Sequence, residues 1–294
     1  MGARRRLVTL CVAALAAGCG SPAAAPPPGP AAATVSVTRD FGRTRIEVAR
    51  AAPGQSALNA LRRTAHVDTS YGGRFVEGID GLHGDRSAGW DWLYFVNGIE
   101  APTGAADYTL HPGDTEWWDY RYWNDLLSIP VAIGAWPDPF VHGFQGDRPR
   151  AVEVSGLPCS ADVAGTLRAA GVRVTGAQEP FSVRVETFAA AAHDLAPDVW
   201  RGRGLTVFLD SGRVMVYRAP DGPAPEPDAH AIIVAYQPGE TTGSSAALVV
   251  AGDRARAACA AARTLAERPA AVAGTYAVAL DGGGRILAAG GRGS

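Results

Sequence analysis

Residue types that do chemistry are sparse and scattered in this chain. Asp80, His83 and Asp85 fall close together in a glycine-rich stretch, the mixture of carboxylate and imidazole that ligates a divalent cation. The same composition is that of an ordinary turn, so no metal ligand is assigned there. The histidines otherwise stand singly. No G-x-S-x-G elbow, no H-E-x-x-H and no G-x-G-x-x-G between a strand and a helix is present. All 27 basic residues are arginine. Without lysine, a Walker A phosphate loop, a Schiff-base enzyme and a Ser-Lys hydrolase are excluded. The run "DGGGRILAAGG" is glycine-rich, but no helix follows it to cradle a phosphate. The chain is therefore expected not to be an enzyme.

In place of a catalytic cluster the chain has aromatics. The stretch "GWDWLYFVNGIEAPTGAADYTLHPGDTEWWDY", residues 89 to 120, holds four of the seven tryptophans, and Trp123 follows. Strand alternation sends Trp90, Trp92, Tyr94 and Val96 to one side and Asp91, Leu93 and Phe95 to the other. From Thr115 onward, Trp117, Asp119, Arg121 and Trp123 share one face, while Glu116, Trp118, Tyr120 and Tyr122 share the other. A small domain has one core, so an aromatic face left outside it is a binding face. Trp and Tyr suit that role because they offer large, rigid contact at low entropy cost. The candidate binding residues are Trp90, Trp92, Tyr94, Asn97, Trp117, Trp118, Tyr120 and Trp123. Charges are seldom buried unpaired, so the side holding Asp119 and Arg121, with Trp117 and Trp123, is expected to face out. The alternative is that a second domain, or a helix on one side and a loop on the other, covers both faces.

These residues must be positioned by strands. "TVSVTRDFGRTRIEVA" alternates Val35 and Val37, then Ile46 and Val48, around a turn at Gly42, which predicts an antiparallel hairpin. Ser56 is placed to cap a helix whose Ala57, Leu58, Leu61 and Ala65 share a face. "GRFVEGIDGL" reads as a short strand and turn, and Asn97-Gly98 fits a type I′ turn. A hairpin, a helix and further strands make an α+β order. The connector, residues 125–150, includes "AWPDPFVHGFQGDRPR", whose prolines 137, 139 and 149 read as keeping it extended, with Trp136 and Phe140 pinning it to one domain or the other. From Ala151 the pattern predicts a small α/β or α+β domain. Its strands are "AVEVSG", "VRVT", "FSVRVETF", "AIIVAY" and "AALVVAG", with a hairpin turning at Ser211-Gly212 and another around Gly282-Gly283-Gly284. Its helices run from Ser160 to a stop at Gly171, and from a cap at Asp253 to a point before Pro269.

The succession "SALNALRRTA", "GRFVEGIDGL" and the aromatic stretch resembles the transcobalamin-like C-terminal domain. That family shows a helix, a strand ending near I-x-G, a W-x-x-Y/F-V-N-G strand and turn, a G-A-x-x-Y loop and a closing G-D-x-x-x-W strand. The resemblance covers about a third of the chain and implies a β-grasp-like fold over residues 34–124. It also implies a corrinoid ligand, because related domains close over one side of a corrin. With such a ligand, His66, His83 and His111 would be candidates to approach the cobalt. The large helical barrel of the animal carriers has no counterpart here.

Residues 1–18 read as an export signal: Arg4, Arg5 and Arg6 form a positive n-region, and Leu7 to Ala17 is apolar but too short to span a bilayer. "LAAGC" resembles a bacterial lipobox, which implies lipidation at Cys19. Ala16 stands where leucine is usual. Residues 19–33 then form a lipidated cysteine and an uncharged Pro/Ala tether. With the three signal arginines removed, 24 basic residues face 29 acidic ones, a net −5 that argues against nucleic acid as a partner. Cys11 leaves with the signal, so Cys159 and Cys259 remain as an even pair for a disulfide in an oxidising compartment, the alternative being two separate buried thiols. The expected whole is a lipid-anchored protein on the extracytoplasmic face of the cell membrane. It would capture a corrinoid or another planar hydrophobic molecule for a membrane importer and require no cofactor. The alternative is a cell-envelope module that binds a partner protein and no small ligand.

Overall fold

A computed structural model describes residues 31–292. Cys19, its signal and the tether up to residue 30 lie outside the described residues. Val35 and Val37 are buried while Thr34 and Ser36 are half-exposed, and this alternation makes β1 (Ala33–Arg39) one wall of a core. The chain turns through Asp40, Phe41 and Gly42, all at positive φ, into β2 (Thr44–Ala51). Ser56 Oγ accepts the Asn59 N–H at 3.2 Å and starts α1 (Ala57–Thr64), which buries Ala57, Leu58, Ala60 and Leu61. A small meander follows as β3 (Val67–Ser70), β4 (Phe75–Ile79) and β5 (Leu82–His83). Then β6 (Trp90–Val96) turns at Asn97-Gly98, both at positive φ as a type I′ turn requires, into β7 (Ile99–Glu100). Finally β8 (Thr115–Tyr122) inserts between β1 and β6. The resulting five-stranded sheet has the order β2-β1-β8-β6-β7, with β1 and β8 parallel and the other pairs antiparallel.

The remaining strands and helices are β9 (Val152–Gly156), α2 (Ser160–Ala169), β10 (Val174–Thr175), β11 (Phe181–Thr187), α3 (Phe188–Ala191), α4 (Trp200–Arg203), β12 (Val207–Asp210), β13 (Arg213–Arg218), β14 (Gly222–Pro225), β15 (Ala231–Tyr236), β16 (Ala246–Gly252), α5 (Ala255–Glu267), β17 (Val278–Leu280) and β18 (Ile286–Ala289). They form a seven-stranded mixed sheet, β10-β9-β11-β16-β15-β17-β18, and a three-stranded one, β12-β13-β14. Val163, Leu167, Ala258 and Leu265 of α2 and α5 pack on one face of the large sheet, against Val183, Leu248 and Ile233. The small sheet packs on the other face, with Val207, Leu209 and Val216 against Ile232, Val234 and Val249. Both faces are covered, which is why β15 and β16 read as continuous apolar runs. Cys159 and Cys259 form the disulfide, Cα atoms 5.5 Å apart, joining the start of α2 to α5. Many strands and few helices make the class α+β.

Three expectations are corrected. First, the side of β8 that carries Trp117, Asp119 and Arg121 does not face out: Trp117 is only 4% exposed, and Asp119 and Arg121 are fully buried. Phe41, Phe95 and Trp117 meet Tyr276 and Tyr217 of the second part in one apolar cluster. Asp119 is buried there with three donors, Thr38, Gly42 and Tyr276. Arg121 donates through Nη1 to the carbonyls of Tyr122 and Leu126 and lies over the rings of Phe41 and Tyr276, while its Nε and Nη2 find no hydrogen-bond partner among the described residues. Second, the proline-bearing stretch is not extended: a 3-10 turn at Ile133–Ala135 leads into continuous turns over residues 136–142, and Trp136, Phe140 and Phe144 are buried. Third, Asp253 does not cap α5. Arg254 holds the cap position, and the Asp253 carboxylate pairs with His230 at 2.9 Å.

Candidate functional site

Register brings three chemically useful side chains abreast. Tyr120 of β8 stands opposite Arg39 of β1 on one side and Trp92 of β6 on the other, so all three emerge on the same face of the sheet. Trp90, two residues before Trp92, shares that face. Its ring stacks on Tyr120 with centroids 5.6 Å apart and planes 20° from parallel, and Trp92 supports Tyr120 from the other side at 5.3 Å. The polar ends of these rings are tied to β5: Tyr120 Oη donates to the His83 carbonyl at 3.0 Å and Trp92 Nε1 to the Leu82 carbonyl at 2.8 Å.

α1 covers the sheet farther along, and beyond it this aromatic floor opens into a groove of about 530 Å³. One wall is the turn between β1 and β2, with Arg39, Asp40, Arg43 and Thr44; the other is Leu82, Asp85 and Ala88. The second wall is stiff because Asp85 and Trp90 exchange backbone hydrogen bonds at 2.8 and 2.9 Å, closing the loop between them. Asp85 Oδ1 accepts from Ser87 Oγ and from the Ala88 N–H, which lowers its pKa. Burial raises the Tyr120 hydroxyl, and the nearby Asp85 and Asp91 carboxylates raise it further, so it remains a neutral donor. Asp40 faces Arg43 at 3.7 Å. Such a site can bind a flat apolar surface through its floor and a charged edge through its walls; it contains no nucleophile with an adjacent base.

The other expected site residues are dispersed. Tyr94 and Trp118 stack at 4.7 Å inside the core, and the Tyr94 hydroxyl donates to the Thr103 carbonyl. Trp117 lies on the opposite face, its Nε1 donating to Thr38 Oγ1 at 2.7 Å. Trp123 is half-buried beyond the end of β8. Asn97 is buried with its whole amide engaged, donating to Asp114 and the Gly143 carbonyl and accepting from the Thr115 N–H. Asp80, His83 and Asp85 do not converge: Asp80 accepts the His66 N–H, and His83 pairs with Asp68 at 3.0 Å. His66 reaches the same carboxylate at 3.4 Å, while His111 lies against Asp114. Among the described residues, no group of three His, Cys, Asp or Glu side chains is arranged to hold a metal ion. No helix among the described residues is long and apolar enough to cross a membrane.

Arg39, Asp40, Arg43, Leu82 and Ala88 were not singled out from sequence. For Arg39 the signal is the parallel β1–β8 pairing, which alternation within either strand does not reveal.

Residues 54–121 match a family model described as a domain of unknown function, DUF4430. The match takes in Leu82, Asp85, Trp90 and Tyr120 and leaves out Arg39, Asp40 and Arg43. No curated protein matches the chain. Among solved structures, a protein of Ruminococcus gnavus described as a candidate metal-binding protein is 18% identical, with a TM-score of 0.27, over 31% of this chain and 97% of that one. Similarity of that size transfers neither fold nor ligand.

Proposed function

We propose that the protein is a lipid-anchored, extracytoplasmic binding protein that captures a corrinoid or another planar, largely hydrophobic molecule and delivers it to a membrane importer. The observation that carries this reading is the groove over Trp90 and Tyr120, whose volume of about 530 Å³ falls in the range of small-molecule sites and whose floor is a stacked aromatic pair. A groove of this size takes a smaller ring system whole and a large macrocycle along one edge. The strand order β2-β1-β8-β6-β7, with a parallel central pair and α1 between the first hairpin and the later strands, supports a β-grasp-like, transcobalamin-type first domain. The second part, residues 151–294, is read as a scaffold that buries the back of that sheet. The reading includes no catalytic step, and the anchor at Cys19 rests on the lipobox-like motif alone.

Calorimetric titration of the body lacking residues 1–19 with cobalamin, cobinamide and haem tests the proposal. At least one should bind, and Trp90→Ala or Tyr120→Ala should abolish binding while each variant keeps the wild-type far-UV circular dichroism, with some loss of melting temperature for Tyr120→Ala, which also gives up its bond to the His83 carbonyl. Heat that survives both substitutions would place the ligand elsewhere. The second reading is a protein-interaction module of the cell envelope. It is favoured by Tyr71, 75% exposed on a positive-φ turn beside Phe75, and it requires that no ligand of the three bind.

A further inference from the structure

We infer that the molecule taken by this groove carries a carboxylate on one edge, which the guanidinium of Arg39 receives while the ring system lies on Trp90 and Tyr120. The inference rests on reading the groove as a ligand site and narrows what that ligand is: a planar carboxylate such as haem fits it, whereas cobalamin and cobinamide, whose ring-edge acids are amides, do not.

The charges around the groove are unevenly engaged. Four charged side chains line the groove: Arg39, Asp40, Arg43 and Asp85. Formally they cancel. Asp40, however, faces Arg43 at 3.7 Å, and Asp85, which keeps its charge, is turned through Oδ1 into its own loop by Ser87 and Ala88 on the wall across from Arg39. Arg39 is exposed and, among the described residues, makes no ion pair and no side-chain hydrogen bond. It is also the one cation whose place is dictated by the sheet, because it is the register partner of Tyr120 and emerges beside the ring. A planar guanidinium next to an aromatic floor is suited to a carboxylate lying in the plane of a stacked ring, which it can engage through two parallel N–H donors. A dianionic phosphate would meet Asp40 and Asp85 across the same small space. A monoanion is therefore the better fit.

Three pyrene probes with one ring and different edges test this on the body lacking residues 1–19: pyrenebutyrate, pyrenemethanol and pyrenemethylammonium. Wild type should bind the carboxylate about ten-fold or more tightly than the alcohol, as one charge-assisted hydrogen-bond pair predicts, and the ammonium most weakly. Arg39→Gln should erase the preference by lowering carboxylate affinity far more than alcohol affinity, and Arg63→Gln, exposed on α1 and outside the groove lining, should keep it. The carboxylate preference should also shrink as salt is raised. Equal binding of all three probes by wild type, or a preference that survives Arg39→Gln, overturns the inference and leaves the groove standing as a ligand site. Failure of every probe to bind wild type overturns both.

Discussion

Asp119 lies fully buried on β8, and three donors converge on its carboxylate: Thr38 Oγ1 at 2.6 Å, the Gly42 N–H at 3.0 Å and the Tyr276 hydroxyl at 3.0 Å. Burial pushes its pKa up to about 6, and these hydrogen bonds keep it from rising further. Its partners come from β1, from the turn after it and from a loop near the C-terminus, so a charge that sequence rules place outside becomes the centre of an interior joint. Trp117 beside it is then a core residue. Trp117→Ala should cost about 3–5 kcal/mol in urea unfolding, and a variant with the wild-type midpoint would return this face to solvent. Glu116, on the other face, is buried with one oxygen bonded to Trp118 Nε1 at 2.6 Å and the other unpaired. Burial raises its pKa from 4.5 to about 8. The folded chain keeps this proton to about pH 8, while the unfolded chain releases it near 4.5. The group's contribution therefore falls as pH rises between those values and is level above them. Asp119 acts in the same direction only up to about pH 6. Melting curves of Glu116→Gln against wild type should thus diverge as pH rises from 5 to 8, with the glutamine variant the more stable at the upper end; parallel curves would mean that Glu116 is ionised in the folded state.

Among the elements, turns and helix ends follow local chemistry closely. Asn97-Gly98 and Ser211-Gly212 adopt the positive φ angles their hairpins require, and Ser56 caps α1. At Gly98 a side chain is also excluded by space, since a Cβ would stand 2.6 Å from the Ala132 carbonyl oxygen. The largest covalent constraint on the second part is the disulfide, which closes a loop across a sequence separation of 100 between α2 and α5. Replacing both Cys159 and Cys259 by alanine should lower stability by roughly 3–5 kcal/mol on the chain-entropy account. The check is the urea midpoint with and without reductant. An unchanged midpoint would show that packing of α2 on α5 holds this face without the bond.

At the scale of the whole molecule, the first sheet has no solvent side where it meets the second part. Phe41, Phe95 and Trp117 share a cluster with Tyr217 and Tyr276, Arg292 donates to the carbonyls of Phe41 and Gly42, and Arg121 lies over the rings of Phe41 and Tyr276. A chain ending at residue 124 would expose that cluster together with Asp119 and Arg121. Such a fragment should lack a cooperative urea transition and bind a hydrophobic dye, whereas the body lacking residues 1–19 should unfold with fluorescence and far-UV circular dichroism in step. A fragment with a sharp native-like transition would establish the first part as an independent domain.

The amino-acid sequence by itself determined what neighbours along the chain can decide: the α+β class, the strands carried by period-two alternation, the hairpin turns, the Ser56 cap, and a cysteine pair free to bond. It also marked Trp90 and Tyr120 among a larger set of aromatics. Tertiary structure decided which of those aromatics are accessible, because that depends on what packs over each face. Arg39 meets Tyr120 only through a parallel pairing of β1 with β8, and Asp119 meets Tyr276 across 157 residues. Period within a strand says which side chains share a face and nothing about the partner that covers it.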